Sequence, residues 1–109
     1  MRIEGVPFEV IDWSRVTASE HAGATAGATW RTVERGNLRA RIVEMRAGYL
    51  ADHWCSRGHV VHVLAGAIET ELQDGRSFRL AAGDTYVVAQ DAEAHRTRSP
   101  AGARLLIVD

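Results

Sequence analysis

Apolar and polar residues alternate along most of the chain in short runs cut by glycine turns, the pattern of half-buried strands. Ala28–Glu34 (ATWRTVE) predicts a strand ending at Arg35-Gly36-Asn37. Leu38–Arg46 follows, with Leu38, Ala40 and Ile42 on one face and Arg39 and Arg41 on the other. The phase shifts over Val43-Glu44-Met45, which predicts a bulge or a strand changing sheets. His59–Ala65 and Ala67–Gln73 predict two strands on either side of Gly66. Asp74-Gly75 predicts a two-residue type I′ hairpin, with Ser77–Leu80 returning. Ala82-Gly83-Asp84 leads into Thr85–Ala89, and His95–Arg98 and Ala103–Val108 close the chain. Thr17–Thr29 (TASEHAGATAGAT) reads as a long loop, or a loop with a helical turn. No window holds a 3.6-residue apolar period, so the expected class is all-β, a sandwich or small barrel.

The 109 residues make one domain, and a chain of this length buries roughly two-thirds of its unfolded surface. A hydrophobic fraction of 46% with 25% charged residues excludes disorder as the main state. The net charge of −1 argues against nucleic acid or an anionic membrane as a partner. The longest apolar runs are four residues, too short to span a bilayer. One cysteine forms no internal disulfide, and the acid-containing start MRIEGVPFEVIDW does not read as a signal peptide. The expected compartment is the cytoplasm.

Four of the five histidines and the only cysteine fall between Asp52 and His95. In a strand, residues two apart share a face, so His53 and Cys55 are expected side by side. Ser56-Arg57-Gly58 then turns the chain and brings His59 opposite them. The pleat puts His59, Val61 and Val63 on one face and separates His62 with Val60 and Leu64 on the other. His95, opening a later strand, completes the set. Imidazole and thiolate suit a divalent transition metal, zinc first and iron, nickel or copper as alternatives. A packed polar cluster without an ion is the competing reading. Cys55 also reads as a small buried hydrophobe, with water taking the open position on the metal. Arg57 and Arg96 flank these ligands and suit an anionic substrate, and Tyr49 and Tyr86 line either the pocket or the core. Trp54 is expected on the opposite side from His53 and Cys55. His21 is a solvated loop residue or a lid over the barrel mouth. Arg39 and Arg41 match Glu69 and Glu71 in spacing and are expected to form ion pairs on solvated outer faces.

In these residues the chain resembles the cupin superfamily of small jelly-roll barrels. Its first motif, Gly-x5-His-x-His-x3,4-Glu-x6-Gly, is met by Gly48, His53, Cys55, His59 and Gly66, with one residue fewer after Gly48. Cys55 then stands at the second histidine and His59 at the glutamate. The second motif is met by Gly83 and His95, with Ala89, Asp91 and Ser99 at the Pro, Gly and Asn places and one extra residue before His95. Trp30-Arg31-Thr32, Ala51–Cys55, Gly58-His59, Asp74-Gly75-Arg76, Ala94-His95-Arg96 and Ala103–Asp109 are similar to a cupin group named for an Asp-His-Cys-Trp motif, although the order here is Asp52-His53-Trp54-Cys55. The resemblance implies a single-domain barrel, residues 1–36 giving an N-terminal strand and wrapping arm and 37–109 the barrel. It also implies a central metal held by His53, His59 and His95 with Cys55 as the fourth candidate, commonly in a homodimer. The expected function is a metal-binding cupin of unassigned substrate. One version is a dioxygenase, isomerase or decarboxylase acting on a small organic acid; the other is a non-enzymatic ligand sensor or structural-metal module.

Overall fold

Alternating branched and small side chains place nine antiparallel strands in residues 1–109, the span described by a computed structural model. These are β1 (Ala18–Ala22), β2 (Gly27–Arg35), β3 (Leu38–Met45), β4 (Tyr49–Leu50), β5 (His59–Leu72), β6 (Ser77–Ala81), β7 (Thr85–Val88), β8 (His95–Ser99) and β9 (Ala103–Val108). One 3-10 turn, Trp13–Arg15, precedes them. The order is β1-β2-β3-β9-β5-β8-β4, and β6 and β7 also pair with β5. The first half of β5 lies between β9 and β7, its second half between β6 and β8. One 14-residue strand therefore belongs to two sheets and rolls them into a barrel. The bend is at Gly66, where φ is +75° and the pairing with β9 has just slipped between Val63 and Ala65. A side chain there would put its Cβ 2.3 Å from the Gly102 carbonyl oxygen.

The interior is built from Val43 and Met45 of β3, Val61, Val63 and Ile68 of β5, and Ala103, Leu105 and Ile107 of β9, together with Ala28 and Leu80. Burial alternates along β9 and along both halves of β5, so one face of each looks into the barrel.

Several sequence expectations need correction. Residues within Thr17–Thr29 are not a loop: β1 pairs with β2 from Ala18–Arg31 to Ala22–Gly27. β1 is an edge strand, nearly all exposed, and so lacks the apolar alternation that marks a strand. Gly66 bends one strand rather than separating two. The hairpin after β5 has a three-residue loop, Gln73-Asp74-Gly75, closed by Leu72 N–H to the Arg76 carbonyl at 2.7 Å. Only Gly75 takes positive φ there, at +100°, which fits a type I turn ending in a left-handed glycine rather than type I′. β3 has no bulge, since its registers with β2 and β9 run unbroken. The phase of β3 is constant, and its inward face is Arg41, Val43 and Met45. Arg41 is 6% exposed and Arg39 is partly buried. Neither pairs with Glu69 or Glu71, whose partners are Arg98 and Arg96 on β8.

Candidate metal centre

The barrel encloses a cavity of about 700 Å³. At its wall the donor atoms of Cys55, His59 and His95 lie within 4.8 Å of one another. His59 starts β5 on its inward face and His95 starts β8, and both are buried. Cys55 lies in the coil before β5, where paired backbone bonds fix it to His95: Cys55 N–H to the His95 carbonyl at 2.8 Å and His95 N–H to the Cys55 carbonyl at 2.9 Å. Gly58 lets this coil pass close to Gln90, whose side-chain oxygen accepts from Gly58 N–H at 2.8 Å. A Cβ on Gly58 would sit 2.5 Å from the Gln90 nitrogen.

Hydrogen-bond partners orient both rings. His95 Nδ1 donates to the Glu93 carbonyl at 2.9 Å, so in the neutral imidazole Nε2 carries the lone pair. His59 Nδ1 is shielded from solvent, and its nearest acceptor is Asp109 Oδ2 at 3.5 Å, the outer limit of hydrogen-bond reach. A proton on Nδ1 suits that carboxylate, and His59 Nε2 is then also a lone pair. The two Nε2 atoms face each other at 2.8 Å. In that tautomer the two lone pairs repel unless a cation lies between them; with the proton on Nε2 instead, His59 donates to His95 Nε2. The Tyr86 hydroxyl, 3.3 Å from His59 Nε2, is the closest further donor. Burial, and next the neighbouring His95, push the His59 pKa down to about 4, so the ring is neutral and available as a ligand at neutral pH. Burial also raises the Tyr86 hydroxyl well above the ordinary phenol value, so it stays protonated.

Asp109 anchors the charged end of the cavity. Its side chain is 1% exposed and accepts from Arg39 Nε at 2.8 Å, Arg39 Nη2 at 3.0 Å and Arg41 Nη2 at 3.1 Å, with Arg57 Nε at 3.3 Å. Burial works to raise the Asp109 pKa, but the arginines outweigh it and hold the carboxyl below its ordinary range. The Arg41 pKa is lowered as well, by burial and then by repulsion from Arg39, which here disfavours the charged form. Its guanidinium lies 4.5 Å over the Trp30 ring, and that of Arg96 lies 4.8 Å over the Trp54 ring.

Solved structures share this architecture. An RmlC-like cupin from Shewanella frigidimarina matches with TM-score 0.74 at 19% identity, over 97% of this chain and 89% of that one. The fold is that of the cupins. An ectoine synthase from P. lautus matches with TM-score 0.72 at 17% identity, over 93% of this chain and 76% of that one. A predicted oxalate decarboxylase from Thermotoga maritima matches with TM-score 0.74 at 13% identity, over 92% and 96%. No protein-family model and no curated protein matches the sequence.

The cupin barrel brings Cys55, His59 and His95 together but not His53, which the sequence had placed beside Cys55. Apart from the single bridge of Cys55 to His95, residues 51–58 are irregular rather than a strand, so the two-residue parity fails there. His53 borders the same cavity, but its side chain is 76% exposed and pairs through Nδ1 with Asp52 at 2.6 Å. Tyr49, Arg57, Tyr86 and Arg96 all line the cavity. Trp54, expected on the far side, lines it too, again because its segment is coil. His62 faces outward as the pleat requires and bonds the Thr85 hydroxyl at 2.8 Å. His21 stacks on Trp30 at 3.7 Å and is no lid. Sequence reasoning missed Arg39, Arg41 and Asp109. Their signal was parity: continuing Leu105 and Ile107 by two residues reaches Asp109 on the same inward face.

Proposed function

We propose that this protein is a metal-binding cupin whose Cys55, His59 and His95 hold one divalent transition ion beside a pocket for a small organic acid. The observation that carries the reading is the convergence of the Cys55, His59 and His95 donor atoms within 4.8 Å, with the two imidazole Nε2 atoms 2.8 Å apart. An ion satisfies both lone pairs and takes the sulfur as thiolate. Zinc comes first for this donor set, with iron, nickel or copper as alternatives. Three protein donors leave a position for water or a ligand oxygen, as catalytic sites do and closed structural sites do not. The exposure of His53 favours the open form, because a closed tetrahedron needs a fourth protein donor. A bound ion would polarise a ligand oxygen as a Lewis acid. The chain's own part is to orient His59 through Asp109, to keep the Tyr86 proton next to the site and to attract an anion with its arginines. A reducing setting such as the cytoplasm suits an available thiol. The Asp-His-Cys-Trp group remains the proposed relative. A homodimer is the proposed assembly, because Phe8 and Val10 of the N-terminal arm are 98% and 82% exposed.

The test is metal content and cobalt substitution. The expected result is one ion per chain and an intense thiolate-to-cobalt charge-transfer band that disappears in Cys55→Ser. His59→Ala should lose the ion while His62→Ala keeps it. Equal retention in both variants would overturn the site.

A further inference from the structure

Arg41 is the one fully buried arginine of the molecule, and it is only partly satisfied. Its side chain is 7% exposed, yet it makes a single hydrogen bond, Nη2 to Asp109, and its Nε is shielded from solvent with no partner. A buried guanidinium has five N–H donors, and each one left unmatched is costly. Arg57, half exposed, reaches Asp109 with only one nitrogen. By contrast Arg39 grips both Asp109 oxygens with two parallel N–H bonds. Three guanidinium groups thus share one side-chain carboxylate, and all three line the cavity that also holds the Cys55–His59–His95 cluster. The locus already fits a planar carboxylate, because Asp109 occupies part of it in the two-pronged geometry typical of arginine.

We infer that Arg41 and Arg57 form the carboxylate-binding subsite of the cavity, holding an acid group of a small organic ligand beside Asp109. This deepens the organic-acid part of the function proposed above and does not depend on the ion. The subsite lies on β3 and in the loop before β5 that also carries Cys55, and its own side chains are none of the metal donors. Asp109, which also faces His59, aligns the arginines and caps how much negative charge they accept. A ligand anchored there has its remaining groups in the same cavity as the metal donors.

The experiment is calorimetric titration of chelator-stripped protein with succinate, with succinamide as the neutral isostere and inorganic phosphate as the competing oxyanion. Succinate should bind, succinamide should bind at least about tenfold more weakly, and raising the salt should weaken succinate. Arg57→Ala, a change at an exposed position, should weaken succinate roughly fivefold, and Arg41→Met roughly tenfold or more. Arg98→Ala, which removes only the outer pairing with Glu69, should change nothing. Equal binding of succinamide, tighter binding of phosphate than of succinate, or unchanged succinate binding in Arg57→Ala would each overturn the assignment. A parallel cobalt titration of each variant separates this outcome from failure of the metal site. Loss of succinate with cobalt binding intact is the expected pattern in Arg57→Ala.

Discussion

Asp109 meets four partners, Arg39, Arg41, Arg57 and the imidazole of His59. Removing its charge leaves buried guanidinium groups uncompensated, so Asp109→Asn is expected to lose roughly 3 kcal/mol in urea unfolding. The same change should weaken zinc about tenfold or more in a competition titration, because His59 loses the carboxylate that faces its Nδ1 at 3.5 Å. Acidity acts on a different residue. His59 has an ordinary value of 6.5 and a folded value of about 4, so between these the unfolded chain takes up a proton that the folded chain refuses. Its contribution to stability is complete above about pH 6.5 and is lost as the pH falls toward about 4. Melting curves of metal-free protein should show the decline, and His59→Gln should flatten it. Asp109, held below its ordinary range, adds its own loss only at still lower pH.

At the scale of elements, Gly66 and Gly75 separate two uses of positive φ. Gly66→Ala meets backbone, with Cβ 2.3 Å from the Gly102 oxygen, and should cost several kcal/mol, about 3, in denaturant unfolding. Gly75→Ala meets nothing within 4 Å and should cost only about 1 kcal/mol, for the turn conformation alone. A smaller loss at Gly66 than at Gly75 would contradict Gly66 as the bend between the sheets. Seven strands, β2, β3 and β5 to β9, were legible because their alternation and glycine turns act locally; β5 was read as two pieces, since a glycine that ends a strand and one that bends it look alike in sequence. β1 and β4 were not legible: an exposed edge strand and a two-residue strand have no apolar face to show. The His59/His62 parity was legible because it lies in a regular strand, whereas the pairing of His53 with Cys55 failed because coil has no fixed period. Arg39 and Arg41 were placed outward on the rule that charge faces water. That rule yields where a carboxylate waits inside, and Asp109 lies 68 residues from Arg41 along the chain.

For the whole molecule, an ion at Cys55–His59–His95 would join residues from both sheets. At a free ion concentration about a hundredfold above its dissociation constant, binding adds roughly 2.7 kcal/mol. Chelation should therefore lower the melting temperature by about 10 °C or more for a domain of this size. The reciprocal backbone bonds between Cys55 and His95 make the sulfur and one imidazole a single rigid piece, whereas His59 is carried by the other sheet. The metal donors thus work like a clasp with one jaw already riveted shut. Separation of the sheets at that end parts His59 from the other two donors and leaves Cys55 and His95 together. Amide exchange along His59–Val63 should quicken on chelation, while the Cys55 amide keeps its protection.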